Sequence, residues 1–255
     1  GLVAGLLTAV SPGMALFGNM LLAHHPTMVG LSLFLLAILR LRNRGQIGYA
    51  WLAGFGLSFA MLCRPMTAAG FGLPFGVAFA VWLIRGGRLT PSMALRRRLS
   101  VATALGGPIL VGLLVLYGYN RAITGDGLVM PYQLYTDIYT PRHVYGFSNV
   151  ERGEENQGPR VLQKYDRWAE NLTINLAAKN VAHRTLASLN WTLGIVPFVM
   201  AGVIFVIGVP LRSLNAWLIF AAIVSLHIVH IPYWYDGIMH LHYVFESGPL
   251  WALIF

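Results

Sequence analysis

The sequence predicts an all-α protein: a polytopic bundle of about seven or eight transmembrane helices with a long extracytoplasmic loop containing interfacial helices. Three observations predict it. Of 255 residues, 56% are hydrophobic and 11% are charged, against about 45–50% and about 25% in soluble domains. The mean hydropathy is +0.63, and a soluble surface cannot be assembled from so little charge. The apolar residues fall into runs close to the ~20 residues that cross ~30 Å of hydrocarbon. Finally, the arginines gather in the links between alternate runs.

Taken in order, the expected spans are residues 2–22, 27–41, 47–63, 67–84, 99–119, 192–210 and 215–232, with an eighth opening near 244. "HHPTM" before the second reads either as a loop or as a kinked helix start. Residues 1–119 form an N-terminal set of helices, 120–190 the extracytoplasmic loop, and 191–255 a C-terminal set. Within the loop, Val161, Tyr165, Trp168, Leu172 and Leu176 recur at helical spacing. This predicts one or two helices lying along the membrane surface, with Trp and Tyr at headgroup depth. "TGDG" at 124–127 reads as a turn. With no initiator Met, and with Phe255 inside an apolar run, the chain reads as a piece of a longer protein.

Charge then orients the bundle. If every span crosses once, "RLRNR", "RGGRLTPSMALRRR" and "PLRS" fall on one side and hold nine arginines and no acid. All nine acidic residues, Asp126 to Glu246, fall on the other. An excess of Lys and Arg in short links marks the cytoplasmic face. The net charge of +9 is therefore a topology signal with affinity for membrane lipids, and no nucleic-acid partner is expected. Sixteen arginines against two lysines point to GC-rich coding and hence to a bacterial inner (plasma) membrane. A single cysteine, Cys63, excludes an internal disulfide. No GxxxxGK[ST], GxSxG, HExxH or CxxC pattern supports nucleotide or serine-hydrolase chemistry.

The candidate site residues lie on the acid-bearing side. Arg64 joins two apolar spans, where a charge is costly; its planar fork suits either helix carbonyls or a phosphate. Residues 119–147 supply Tyr132, Tyr135, Arg142 and His143, aromatic faces and paired cations of the kind that grip sugars or headgroups. His24 and His25 stand where a span reaches the same surface. The stretch 230–250 packs three histidines, three tyrosines, Asp236 and Glu246 into 21 positions, and His242 and Tyr243 belong with them. Glu246 at the start of an apolar run is expensive without a partner, so either substrate hydroxyls or an arginine should pair with it. His227, His230, His240 and His242 can be read as a nitrogen-rich metal set. Histidines at i and i+3 on an apolar span are more often structural, so no cofactor is expected, a divalent metal remaining the minor alternative.

These stretches resemble the multi-spanning GT-C fold glycosyltransferases that use polyprenyl-phosphate sugars, such as protein mannosyltransferases and aminoarabinose transferases. "SPGMALFGNMLLAHHPTMVGLSLFLLAILRLR" resembles the family's third and fourth spans, and "LAGFGLSFAMLCRPMTAAGFGLPF" its helix ending in Arg-Pro. "LYGYNRAITGDGLVMPY" is similar to the exit into the large outer loop, and "YWYDGIMHLHYVFESGPLWALIF" to the late element that usually carries Gly-x-Arg-Tyr, an acid and Pro. The resemblance implies a hexosyl- or pentosyltransferase that moves a sugar, with inversion, from a polyprenyl-phosphate donor to a lipid, glycan or protein acceptor on the extracytoplasmic face. It also implies a catalytic aspartate in the first outer loop as general base. No acid precedes Asp126, so that base is expected upstream of Gly1, on helices this piece lacks. His242 stands where the late arginine would be, which makes phosphate binding pH-sensitive or moves it to Arg142 or Arg64. The competing reading is a transporter or lipid flippase using the same groups for headgroup recognition, although neither inverted repeats nor mid-span charges are visible.

Overall fold

The computed structural model describes residues 2–18, 20, 22–85, 95–153, 158–194 and 213–254. Among them every regular element is helical. Most of the expected span 192–210, together with Arg88 and Arg212, lies outside the described residues.

The expected first span, 2–22, is not one helix. It divides into α1 (Leu2–Ala9) and α2 (Pro12–Gly18). Pro12 pushes Ser11 out of helical geometry, and the Ser11 hydroxyl instead accepts from the Met14 amide at 3.3 Å, capping the second piece. The next helix, α3 (His24–Arg44), starts three residues earlier than expected. Pro26 falls in its first turn, where a missing N–H costs no hydrogen bond. Gly45 (φ 65°) ends it, its N–H donating to Leu41 O at 2.7 Å. "HHPTM" is thus a helix start.

Helices α4 (Ile47–Cys63) and α5 (Pro65–Arg85) sit where the apolar runs place them. Only Arg64 separates the two, because Pro65 can open a helix but not continue one. Helix α6 (Leu95–Thr124) has 30 residues and outruns the expected 99–119 at both ends. Among the described residues three helices, α3, α5 and α6, are long and apolar enough to cross a membrane. Helix α4 and the later α11 (Leu214–Val229) are apolar but shorter.

Small residues let α4 lie tightly between α3 and α6. Ala50, Ala53, Gly54, Gly56, Ser58 and Ala60 are buried along it. A Cβ on Gly30 would come within 2.7 Å of Gly56 O, and one on Gly56 within 2.7 Å of Gly30 O. This is close backbone approach of the small-residue kind that membrane bundles use. Outside the bundle, Leu110, Val111, Leu113, Leu114 and Val115 of α6 stand exposed, an exterior suited to hydrocarbon.

The stretch 120–190, expected as a long loop with one or two helices in it, holds α7 (Pro131–Tyr139), a 3-10 turn at Pro141–His143, α8 (Asn149–Arg152), α9 (Arg160–Arg167) and α10 (Ile174–Leu193). "TGDG" is a turn as expected, with Gly125 at φ 83°. The apolar ladder 161–176 does not form one continuous surface helix. Trp168 ends α9, and the Thr173 side chain accepts from the Leu176 amide to start α10. Leu172, between the two helices, is buried with Ala169, Ala177 and Trp234, while Val161, Tyr165 and Trp168 remain exposed. The 20-residue α10 was not anticipated. Beyond α11, residues 230–247 fold as turns and lead into α12 (Gly248–Ile254).

Charge separates between the two ends of the bundle. At one end, Arg97 donates to Gly45 O, and Arg42 bonds Asn215 at the start of α11. At the other end, the α3 start, the α4–α5 junction, the end of α11 and the 120–170 elements converge, bringing every acid among the described residues with them.

Candidate functional site

The convergence is organised by one ion pair. Glu246 has no exposed side-chain surface, and its Oε1 accepts from Arg64 Nη1 at 2.7 Å. His24, also buried, places Nδ1 at 3.0 Å from the same oxygen and Nε2 at 3.2 Å from His242 Nδ1, and it bonds Arg64 as well. Either neutral tautomer of His24 keeps both ring nitrogens bonded: a proton on Nδ1 goes to the carboxylate, while one on Nε2 goes to His242 and leaves Nδ1 to accept from Arg64. The other carboxylate oxygen, Oε2, is buried without a protein partner. Phe17 and Phe245 close the apolar side, stacked at 4.6 Å, and His25 lies against Phe245 at 5.7 Å. The expected arginine partner of Glu246 is therefore Arg64, drawn from 182 residues away.

In front of this pair lies a cavity of about 680 Å³, within the range of ligand sites. Arg64, Thr67, His230, Tyr233, His242 and Tyr243 line one side, and Tyr132, Gln133, Thr136, Asp137, His143, Tyr145 and Arg152 the other. The contacts described for Arg64 all use Nη1, one of three nitrogens in a side chain with five N–H donors. Tyr233 and Tyr243 stack at 4.6 Å, His230 stacks on Tyr243 at 5.5 Å, and together they form an aromatic wall. Arg152 is held by Phe147 O at 3.0 Å and Tyr145 O at 2.9 Å. A second cavity, about 50 Å³ and almost wholly apolar, lies at the other end, around Phe75, Trp82 and Leu218.

Of the site residues expected from sequence, Arg64, Tyr132, His143, His242 and Tyr243 line the large cavity, with His24 and Glu246 directly behind Arg64. Others stand apart. Tyr135 is on α7 but turned toward Tyr139, 5.1 Å away. Arg142 is not a lining residue; its N–H donates to Asp166 Oδ1 at 2.9 Å and its Nε is buried without a partner. Asp236 lies outside the cavity, bonded to His183 and His240.

Sequence reasoning passed over Arg152 and Arg184. Arg184 is wholly buried on α10 and donates to the carbonyls of His230, Tyr233, Tyr235 and Asp236. Its guanidinium also sits 5.1 Å from the Tyr243 ring centre. An arginine in the middle of "NVAHRTLASL" was the available signal.

Electrostatics fixes which group can carry positive charge here. Burial, reinforced by His24 and Arg64, pushes the His242 pKa down to about 3, so this ring is neutral at any ordinary pH. The standing cations along the cavity are Arg64 and Arg152, and His242, as a neutral ring, does not replace an arginine there. Burial also lowers His143, against the opposing bond to Tyr165 O, and raises Tyr233 to about 12.

The sign for stability follows from His242. Its ordinary pKa is 6.5 and its folded value is about 3, so below the ordinary value the unfolded chain binds the proton more readily. Its contribution is present above 6.5 and is lost as pH falls toward 3. In detergent, the melting temperature should fall with acidification through this window, and fall less steeply in His242→Gln. Parallel curves would show that His242 is not held neutral.

No family model, curated protein or solved structure matches this chain.

Proposed function

We propose that this chain is the membrane-embedded core of a glycosyltransferase that moves a sugar from a polyprenyl-phosphate donor to a lipid, glycan or protein acceptor. In this reading α3, α4, α5, α6 and α11 cross a bacterial plasma membrane within a bundle of seven or eight spans. The arginine-rich end faces the cytoplasm and the cavity opens on the extracytoplasmic side. The observation that carries the reading is the large cavity in which a structurally fixed arginine faces aromatic walls. A lipid-linked sugar phosphate needs both features: a permanent cation for the phosphate and flat aromatic faces for the sugar.

Transfer would break the bond between anomeric carbon and phosphate oxygen while the acceptor hydroxyl bonds that carbon from the opposite face. Arg64 would stabilise the departing phosphate, a charge that develops only as the bond breaks. The hydroxyl proton needs a base. Among the described lining residues Asp137 is the carboxylate, and in this reading it takes that proton.

The test is transfer of radiolabelled sugar from a polyprenyl-phosphate donor by the full-length protein and its variants. Arg64→Ala should lower transfer roughly 100- to 1,000-fold. Asp137→Asn should lower it with little change in donor binding. Arg142→Ala, away from the cavity, should stay within a few-fold of wild type. Undiminished transfer by Arg64→Ala would remove the phosphate role from this residue.

A further inference from the structure

A second cluster lies outside the cavity, on the face where α10 meets the 230–240 segment. His183 Nδ1 is 2.9 Å and His240 Nδ1 2.6 Å from the same oxygen, Asp236 Oδ2. The two imidazoles are 4.7 Å apart, and one ligand atom from each of the three residues falls within 4.8 Å of the others. We propose that His183, Asp236 and His240 form a binding site for a divalent transition-metal ion, with Zn²⁺ as the fitting occupant.

The donor set is the first argument. Two imidazoles and one carboxylate are three protein ligands of the kind that leave an open position on zinc. Bonds of ~2.0–2.2 Å in a tetrahedron separate ligand atoms by ~3.3 Å. The cluster's spacing reaches that with shifts under about 1 Å in side chains alone. The second argument is position. Asp236 is mostly buried and the His240 side chain is 53% exposed, so the carboxylate anchors the site from within while one side stays open to solvent.

The third argument is the backbone. Gly237 has φ 96°, and Met239 and His240 follow with φ 56° and 57°. Two consecutive non-glycine residues in the left-handed region carry a steric cost. That conformation turns the His240 ring back onto Asp236, four residues earlier, and a bound ion would offset its cost. The fourth argument is the frame. Arg184, next to His183, bonds the carbonyls of His230, Tyr233, Tyr235 and Asp236. One rigid unit therefore sets the spacing between His183 and Asp236, residues 53 apart in sequence. The same unit carries His242 and Tyr243 into the cavity wall, so metal bound here would stiffen that wall without entering it. The proposal does not depend on which group the cavity transfers.

The experiment uses the full-length protein, purified in detergent without a histidine tag and freed of metal. Zn²⁺ binding is measured by calorimetry and by metal content after dialysis, and Co²⁺ serves as a spectroscopic substitute. The wild type should bind one Zn²⁺ per chain, melt at a higher temperature with it, and give a four-coordinate Co²⁺ spectrum. His183→Ala, His240→Ala and Asp236→Asn should each weaken binding at least ten-fold, with Asp236→Asn preserving shape if either alanine variant fails to fold. His242→Ala should still bind. Absence of zinc binding by the wild type would overturn the proposal, as would binding lost in His242→Ala but retained in His183→Ala and Asp236→Asn.

Discussion

Replacing Arg184 with methionine should unfold the 230–243 segment and cost ~4 kcal/mol or more of stability. The magnitude follows from what the guanidinium satisfies. Four backbone carbonyls in a segment without regular hydrogen bonding converge on it, and each buried acceptor left unpaired costs ~1–3 kcal/mol. Methionine restores the volume but none of the donors. Lysine, a point charge with three donors, should recover part of the loss. Hydrogen exchange is the measurement. In Arg184→Met, amides of 230–243 should lose protection while those of α3 and α4, packed through Gly30 and Gly56, keep theirs. Protection unchanged across 230–243 would mean that the turns hold without the clamp. The consequence for function is indirect but large, because the segment places His230, Tyr233, His242 and Tyr243 on the cavity wall.

Residues such as Arg184 mark the boundary of what could be read in advance. Apolar runs state where a helix can cross, so α4 fell on its expected bounds and α5 and α11 close to theirs. Helix α10 was unreadable for the opposite reason. Lys179, Asn180, His183 and Arg184 look like the polar face of a surface element, yet Asn180 and Arg184 are buried against carbonyls of the 230–236 segment. The pattern carries no mark of a partner fifty residues away. Glu246 shows the reverse case. Energetics alone required a buried acid to have a partner, and Arg64 supplies it; which arginine would do so depended on the 230–247 turns folding back onto the α4–α5 junction. The pairing of His183 with Asp236 had no such warning, because a half-buried histidine and an acid can each be satisfied by water.

The Arg64–Glu246 pair permits a test that separates folding from chemistry. Glu246→Gln leaves an arginine that cannot shed its charge and should destabilise by up to ~3–5 kcal/mol, moderated by the 15% exposure of the Arg64 side chain. Arg64→Met strands a carboxylate with no exposed surface, but a carboxyl can take up a proton, which caps the penalty at ~1.4 kcal/mol for each unit by which the pH exceeds its ordinary pKa. The Arg64→Met variant should therefore gain stability relative to wild type as pH falls from neutral. Glu246→Gln, with no carboxyl to titrate, should show no such gain until Glu246 of the wild type itself begins to protonate. Removing both charges together eliminates the stranded ion in either sense. Arg64→Met/Glu246→Gln should melt closer to wild type than either single variant, as buried pairs replaced by neutral groups commonly do. If Arg64 serves the leaving phosphate, the double variant should fold and yet transfer no better than Arg64→Ala. Sugar transfer restored along with stability would show that the arginine's work ends at holding Glu246 and the cavity wall in place.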